Sequence, residues 1–437
     1  HDESGNYAIN PFIPKIHDDY DDSTIGLIAS VESDTEATLT ADGILFFTGN
    51  RLKRERSGSN DFNLTGKIST SKKELQVALQ KLSKATPTRS TLPILSSVLF
   101  SVREEGTILR TTDLEITIIV NLPVSLETAG SVAIPLQTLL DVTNELPDEA
   151  RITLTADENN RVKMVTEVGS YDIMGKPADE FPATPEADNR KATGVSSNAL
   201  KEIISKTSFA VSRDELKPAL TGVLFRFGKT ELTAVATDGH RLVRYTRKDY
   251  NADEYSGDVI VPRKFLSLLL NVLVGDSAIQ MWMGDNHMTA TIGEDTYFTR
   301  IIDERFPDFQ SVIPQDNDKA FTANQNELLS AVRRVSIFSN KSTHQIALRL
   351  NKENFKITTE DPEKSSKAQE KISGEFDGED FVIGYNARYL KDILSHVDNE
   401  KVIIKFKTPI SAALFYPGTQ NEKSELTMLL MPIRLNE

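Results

Sequence analysis

Three stretches of the chain place apolar residues at intervals of three and four, which is the spacing of one helix face. They are KKELQVALQKLSKA, SSNALKEIISKTSF and NQNELLSAVRRVSIF, beginning at Lys72, Ser196 and Asn324. The apolar positions are Leu75, Ala78, Leu79 and Leu82 in the first, Leu200, Ile203, Ile204 and Phe209 in the second, and Leu328, Leu329, Val332 and Val335 in the third. These patterns predict three amphipathic helices, with Ser196 or Ser197 as the N-cap of the second.

A second helix is predicted after each of these, behind a short apolar strand. SVAIPLQTLLDVTNEL and DVIVPRKFLSLLLNVL each carry proline at the helix start, where its missing N–H costs nothing, and DFVIGYNARYLKDILSHV carries Asn386 instead. The stretches between the helices, such as ARITLTAD, AIQMWMGD and KVIIKFK, are short, rich in β-formers and bounded by turn residues. They predict antiparallel meanders.

The pattern repeats along the chain. Val-Leu-Phe begins at Val98 and again at Val223, 125 residues later, and Thr112-Asp113 is 125 residues before Thr237-Asp238. A weaker third copy places Thr359-Glu360 122 residues beyond Thr237, so a turn shared by all three copies is expected at this point. The sequence therefore predicts an α+β fold of three repeated modules, each with two helices against about eight antiparallel strands. Their expected limits are 66–190, 191–317 and 318–437.

Residues 1–65 stand outside the repeat. They include the acidic run HDDYDDS, one hairpin pair suggested by IGLIASVES and GILFFTG, and the basic cluster RLKRERSGS. The segment is interpreted either as an added or leader segment or as a native extension, and it does not enter the fold prediction.

Composition narrows the chemistry. The chain has no cysteine, which excludes disulfides, thiolate metal sites and cysteine nucleophiles, and its six histidines lack metal-ligand spacing, so neither metal nor cofactor is expected. No apolar run approaches the roughly 20 residues of a membrane span, and no signal-peptide core is seen, so a cytoplasmic protein is expected. The net charge is −14, of which residues 1–65 supply half.

Basic residues recur on the predicted helices of all three modules, although acidic residues are mixed among them. They are Lys72, Lys73 and Lys84, then Lys201, Lys206, Arg263 and Lys264, then Arg333, Arg334, Arg388 and Lys391. A merely solvated face would explain any one helix. Recurrence in every module favours a basic lining that attracts a phosphate backbone without reading its sequence.

Six stretches resemble the bacterial DNA polymerase III sliding clamps, the beta subunit family. They are TLPILSSVLF, TDLEITI, ATDGHRLV, VIVPRK, ERFPDF and MPIRL, which lie in order across residues 66–437. The resemblance implies a head-to-tail homodimer forming a six-module ring around duplex DNA. It also implies partners: the polymerase catalytic subunit, an ATP-dependent clamp loader and other replication and repair proteins, which the clamp tethers without catalysis of its own.

The resemblance further implies a pocket between the second and third modules that receives a short partner peptide with a Gln, a Leu and an aromatic residue. The matching positions are Leu220, Thr237, Gly239, His240, Arg241, Leu242, Pro307, Val312, Ala412, Leu429, Leu430, Met431, Pro432, Ile433 and Arg434. Leu, Val, Pro and Met can form an adaptable apolar socket. The apolar C-terminal stretch could alternatively be a final core strand.

Five basic residues are the candidates for DNA contact: Arg89, Arg213, Lys217, Arg263 and Lys264. Many relatives carry aromatic residues in the loop that holds Arg213 and Lys217. This chain has Pro218 and Ala219 there, which puts the contribution of that loop in doubt.

His240 admits three interpretations: a catalytic group with Asp238, a structural histidine, or a wall of the peptide pocket. The first and third modules have no histidine at the equivalent place, so a hydrolase built on this region has little support. The remaining classes are a processivity clamp, which is favoured, and a repeat scaffold that does not bind DNA.

Overall fold

The computed structural model describes residues 66–87, 89–184, 191–252, 254–273, 275, 278–351 and 354–435, and before them only the backbone of four strands. These are β1 (Leu27–Ser33), β2 (Glu36–Thr40), β3 (Ile44–Thr48) and β4 (Arg51–Glu55). β1 pairs with β2 and β3 with β4, both antiparallel, so each stretch of the suggested hairpin pair belongs to a separate pair. The run HDDYDDS and residues 185–190, the end of the first predicted module, lie outside the described residues.

The chain forms two compact units. The first comprises His1–Asp113 and Ile118–Ala183, and the second comprises Leu114–Thr117 and Thr184–Glu437. The second unit contains both the second and the third predicted module. The predicted limits at 190 and 317 remain predictions. The second and third modules share one sheet, so compactness does not separate them at 317.

The elements of the first unit alternate strands with two helices. They are β5 (Lys67–Ser71), α1 (Lys72–Leu82), β6 (Ser97–Arg103), β7 (Gly106–Thr112), β8 (Ile116–Leu122), β9 (Ser125–Thr128), β10 (Gly130–Pro135), α2 (Leu136–Glu145), β11 (Arg151–Ala156), β12 (Arg161–Val165) and β13 (Ser170–Met174). The strands run in the orders β10-β6-β7-β8 and β13-β12-β11-β5-β9, and α1 packs against α2.

The start of α1 illustrates how local sequence sets an element. The Ser71 Oγ accepts a hydrogen bond from the Glu74 backbone N–H at 3.2 Å, and the Ser71 backbone N–H donates to the Glu74 carboxylate at 3.3 Å. This reciprocal capping box satisfies two backbone donors that the first turn leaves open. Leu75, Leu79 and Leu82 are fully buried, which confirms the predicted apolar face.

The second unit repeats this plan twice. Its first part holds β14 (Lys191–Ser196), α3 (Ser197–Thr207), β15 (Gly222–Phe227), β16 (Leu232–Thr237), β17 (Arg241–Arg247), β18 (Gly257–Pro262), α4 (Arg263–Val272), β19 (Ala278–Met283), β20 (His287–Ile292) and β21 (Asp295–Arg300). Its second part holds β22 (Lys319–Asn324), α5 (Gln325–Val335), β23 (Gln345–Asn351), β24 (Asn354–Asp361), β25 (Ser366–Ile372), β26 (Glu375–Asp377), β27 (Phe381–Asn386), α6 (Ala387–Ser395), β28 (Lys401–Phe406), β29 (Ala413–Pro417) and β30 (Ser424–Leu430).

One nine-stranded sheet runs through both parts of this unit, in the order β18-β15-β16-β17-β30-β29-β28-β22-β26. The join is the antiparallel pairing of β17 with β30, in register from Arg241↔Leu430 to Arg247↔Ser424. Within this unit the strands β21, β20, β19 and β14 also lie side by side in that order, and β25-β24-β23-β27 forms a four-stranded sheet. Antiparallel sheets with two helices in each segment confirm the predicted α+β class.

The helix predictions in this unit are also largely confirmed. Ser196 caps α3 by accepting from the Ala199 N–H at 3.2 Å, and Asn386 caps α6 by accepting from the Arg388 N–H at 2.9 Å. Phe209 was placed on the face of α3 and this is wrong, because the helix ends at Thr207 and Phe209 lies in the 3-10 turn that follows. That turn carries the ring toward the site described next.

Candidate functional site

The stretch Thr237–Arg241 forms a tight turn that its own polar groups hold. The Thr237 Oγ donates to the Arg241 carbonyl at 2.7 Å, and the Asp238 carboxylate accepts from the backbone N–H groups of His240 and Arg241 at 2.9 and 3.1 Å. Gly239 has a φ of 89°, in the left-handed region where a side chain is strained. Glycine is therefore the residue that lets this turn reverse between β16 and β17.

The expected repetition of the turn is right for the first module and wrong for the third. Leu114, 125 residues before Gly239, has a φ of 75°, so the first module has the same left-handed position. In the third module Thr359 lies inside β24, which continues to Asp361, and the left-handed residue is Ser365. The longer strand displaces the turn, so the sequence match there does not correspond to a matching backbone.

Arg241 is the most heavily bonded side chain of the turn and is only 7% exposed. Its guanidinium donates to Asp238 at 3.1 Å, to Asp392 of α6 at 2.6 Å and to the Phe209 carbonyl at 2.8 Å. The same group lies over the ring of Phe209 at 5.2 Å and over that of Tyr389 at 4.7 Å. Because all five N–H donors of an arginine radiate in one plane, a single side chain can join elements of both parts of the unit.

His240 is exposed and lies on the rim of this arrangement. Its imidazole stacks on the ring of Tyr389 with 5.7 Å between the ring centroids, and its backbone carbonyl accepts from the Met431 N–H at 2.8 Å. Met431 follows directly after β30 and is 41% exposed. The turn of the second module is thus bordered by two segments of the third.

The pairing of β17 with β30 separates two chemistries onto opposite faces of the sheet, because side chains alternate along a strand. Arg241 pairs with Leu430 on the face where Arg241 meets α6, and Leu242 pairs with Leu429 on the other face. Leu242 and Leu429 belong to an apolar cluster whose other buried members are Leu224, Val235, Ile260, Phe309, Ile313 and Leu414. Ala412 packs against this cluster.

The predicted pocket residues are therefore only partly together. Thr237, Gly239, His240 and Arg241 form the turn, Met431 is bonded to it, and Leu242, Leu429 and Ala412 belong to the apolar cluster. Val312 is exposed beside Ile313 of the cluster, and Leu220 is buried in the loop before β15. Pro307 is exposed and lines a cleft of about 480 Å³ to which Leu224, Ile260 and Phe309 of the same cluster also contribute.

The predicted pocket residues of the C-terminal stretch also lie in different environments. Leu430 is fully buried on the face opposite Leu429, so its side chain belongs to a core rather than to an open surface. Ile433 bonds through its backbone N–H to the Gly384 carbonyl at 2.9 Å, Pro432 is half-buried, and Arg434 is exposed. The alternative of a final core strand is thus correct up to Leu430, where β30 ends, and not beyond it.

Four residues at the site were not predicted from the sequence: Tyr389, Phe209, Asp392 and Phe309. Asp392 is 151 positions from Arg241, and only the pairing of β17 with β30 brings them together. The sequence shows only that Tyr389 is an aromatic residue in the first turn of the predicted helix α6. This does not indicate which neighbouring segment its ring contacts.

Basic residues lie in a second cleft, of about 550 Å³, bordered by the same turn. Arg213, Lys217 and Arg263, three of the five predicted DNA candidates, line it together with Asp238, His240 and Arg388. Lys264 does not line it, and Arg89 is exposed in the first unit. The structure therefore brings three of the five candidates to one place.

Among the residues that the structure describes, no three His, Cys, Asp or Glu side chains lie close enough to hold a metal ion. No helix in that part of the chain is long and apolar enough to cross a membrane.

Replacing Arg241 with methionine should lower the free energy of unfolding by about 3 kcal/mol, because it leaves the Asp238 carboxylate without its charged partner in a largely buried place. Urea unfolding of the two proteins measures the difference. The matched control is Arg226→Met, since Arg226 makes a bidentate pair with Asp258 at 2.8 and 2.9 Å on the surface and its loss should cost about 1 kcal/mol or less. Equal losses would contradict the assigned role of Arg241.

Stability should fall as the pH is lowered from about 7 to 5, partly through His396. Burial against Phe209, whose ring stacks on it at 3.8 Å, lowers the pKa of His396. In the unfolded chain His396 takes up a proton near pH 6.5, whereas in the folded chain it does so only at a lower pH. The contribution of His396 to the free energy of unfolding is therefore present above about pH 6.5 and is lost as the pH falls from there through the lower pKa of the folded chain. Urea unfolding at several pH values gives the free energy of unfolding as a function of pH. Between about pH 5 and 7 this free energy should change less steeply for His396→Phe than for the parent chain, and an equal pH dependence would contradict this.

Comparison with known proteins agrees with this geometry. Models of the DNA polymerase III beta subunit match in order: the N-terminal domain over residues 66–185, the central domain over 194–308 and the C-terminal domain over 310–434.

The beta sliding clamp of Pseudomonas putida is 31% identical over 362 residues, covering 82% of this chain and 96% of the relative. The sliding clamp structure from Bacillus subtilis has a TM-score of 0.81 at 25% identity, covering 85% of this chain and all of that one. The sliding clamp of Pseudomonas aeruginosa bound to griselimycin has a TM-score of 0.78 at 29% identity, with the same coverage. This chain belongs to the DNA polymerase III beta subunit family, the bacterial sliding clamps.

Proposed function

We propose that this protein is a DNA polymerase processivity factor, a sliding clamp that encircles duplex DNA and tethers polymerase and repair proteins through short peptides. The observation that carries the proposal is the match of three successive beta-subunit domains to three repeats in one chain. The domain limits proposed for it are 66–190, 191–317 and 318–437.

The proposal includes assembly and partners. Two chains pair head to tail into a ring of six modules, an ATP-dependent loader opens and closes it, and the polymerase catalytic subunit is carried on it. Its location is the bacterial cytoplasm, where replication takes place. The sequence-independent hold on DNA follows from phosphate attraction, which allows sliding because no base is read.

Partner peptides dock on the face of the sheet that carries Leu242 and Leu429. The apolar cluster to which these residues belong provides a rigid floor, because its members are buried and close-packed. His240 and Met431, both exposed and joined by a backbone hydrogen bond at the end of these strands, form an adaptable rim. A leucine and an aromatic side chain of the peptide gain most from such a site, since they remove large apolar area from water.

DNA contact falls to the basic residues of the helix-bearing face and its loops. Arg213, Lys217 and Arg263 line one cleft, and Arg89 and Lys264 are the further candidates. Pro218 starts a 3-10 turn directly after Lys217. Because this chain has Pro218 and Ala219 where many relatives carry aromatic residues, the loop would contact DNA through the charges of Arg213 and Lys217.

The geometry of the turn does not favour the hydrolase alternative. Both oxygens of Asp238 accept hydrogen bonds from the turn itself, from two backbone N–H groups and the Arg241 guanidinium. The Asp238 carboxylate is thus engaged by the turn, and the His240 imidazole stacks on Tyr389, an arrangement that does not favour a catalytic triad. We therefore assign no catalytic role to His240.

Retention on circular DNA tests the clamp. After loading with a clamp loader and ATP, the protein should stay on nicked circular DNA and leave linear DNA, because a closed ring cannot leave a circle but slides off an end. Gel filtration of the loaded DNA, with and without linearisation, measures this. Equal retention on both forms rules the clamp out.

Replacing His240 with alanine should weaken binding of a peptide with Gln, Leu and aromatic residues about tenfold, because the rim loses its stacked ring over Tyr389. Isothermal titration with the peptide provides the measurement. The matched control is His287→Ala, the same change on β20 in another sheet, which should leave the affinity unchanged. If both variants bind as the parent does, His240 is not part of the docking site.

A further inference from the structure

The C-terminal tail, residues 431–435, is held at two points after β30 has ended. The Met431 N–H donates to the His240 carbonyl at 2.8 Å, and the Ile433 N–H donates to the carbonyl of Gly384 in β27 at 2.9 Å. Pro432 lies between them, has no N–H and restricts its own φ. A shift of the tail at Ile433 is therefore passed on to Met431, which belongs to the proposed rim of the peptide site.

The same backbone bridge occurs in the two earlier modules, at the third residue from the end of the strand that precedes the second helix. The Ala133 carbonyl of β10 accepts from the Lys176 N–H at 2.8 Å, and the Ile260 carbonyl of β18 accepts from the Ile302 N–H at 3.0 Å. Lys176 and Ile302 come shortly after the last strand of their module, as Ile433 does. In the third module this repeated bridge therefore holds the tail.

Of the three modules, only the third has glycine at this strand position, where the others have Ala133 and Ile260. A Cβ built on Gly384 would lie 2.7 Å from the Ile433 carbonyl oxygen and 2.7 Å from the Leu435 Cδ2, closer than such atoms approach without a shift. The backbone of Gly384 is not left-handed, and glycine inside a strand costs stability. The close approach of the tail is thus what requires glycine here.

The neighbouring strand leaves room for the tail as well. Ala347 of β23 pairs with Gly384, so the two small residues lie side by side on one face of the sheet. Ala347 is buried and lines one cleft together with Leu435. The Leu435 side chain therefore packs where two larger side chains would leave it no space.

We propose that Gly384 is a positioning residue for the partner-peptide site, acting through the tail rather than by contact with the peptide. It accepts the Ile433 N–H, leaves room for the tail to cross the strand, and so fixes Met431 beside His240. The inference rests on the proposed function and deepens it, because it names a residue outside the predicted pocket on which the rim depends.

Gly384→Ala should weaken binding of the peptide with Gln, Leu and aromatic residues about fivefold, because the added Cβ displaces Ile433 and Leu435, and Met431 with them. Isothermal titration measures the affinity. Without peptide, hydrogen–deuterium exchange in the tail should be faster than in the parent chain, since the N–H groups of Met431 and Ile433 lose their acceptors.

The matched control is Gly374→Ala, in the same module. A Cβ at Gly374 would lie 2.5 Å from the Phe321 Cε2 and 2.7 Å from the Thr322 carbonyl oxygen, so it disturbs β22 and leaves the tail alone. Both variants should lower the free energy of unfolding, and only Gly384→Ala should weaken the peptide. Equal losses of affinity would reduce Gly384 to a structural role and overturn the inference.

A double-mutant cycle tests the route through Met431. If Gly384 acts by placing Met431, adding Gly384→Ala to Met431→Ala should weaken the peptide by less than about twofold more. A full second loss would show that Gly384 acts in another way, and the inference would be wrong.

Leu435→Ala provides a second variant should Gly384→Ala fail to fold, because it loosens the same tail without changing β27. It should weaken the peptide about threefold, and an unchanged affinity would count against the inference. A parent chain that binds no peptide contradicts the proposed docking as well. A parent chain that binds, with Gly384→Ala binding equally well, overturns the inference alone.

Discussion

The antiparallel pairing of β17 with β30 is the constraint on which the second unit depends. It joins a four-stranded and a five-stranded half into one sheet, and its register decides on which face of that sheet Arg241 and Leu242 each lie. A slip by one residue would exchange these faces, placing a guanidinium in the apolar cluster. The positions of the turn, of the apolar cluster and of the basic cleft relative to one another therefore depend on this one register.

Arg241 stabilises the pairing of β17 with β30 through hydrogen bonds and ion pairs. A buried ion is costly to desolvate, and the cost is offset here because Asp238, Asp392 and the Phe209 carbonyl accept its donors while two rings cover the guanidinium. Such a network is specific, since each partner must be in place. Arg241 also lines the basic cleft and belongs to the turn that carries His240, so the same hydrogen bonds hold both in place.

Most of the fold could be predicted from the sequence, because helix faces and strand alternation are local patterns. Leu75, Leu79 and Leu82 repeat at helical spacing, and their burial follows from that alone. The site could be predicted only in outline. The stacking of His240 on Tyr389 and the burial of Leu430 depend on which strand β17 meets, and a contact between distant segments leaves no local periodic signal.

The turn at Gly239 differs in strain from its counterpart in the first module. Leu114 holds nearly the same left-handed φ in the first module, at a cost of about 1 kcal/mol for a residue with a Cβ. Gly239 adopts it without that cost, and a Cβ built there would meet no atom within 4 Å. Open space is therefore present beside the exposed His240. Glycine in place of leucine thus avoids the strain and leaves this space without a side chain, and the proposed docking of an extended peptide would use it, with an apolar contact from the neighbouring Met431.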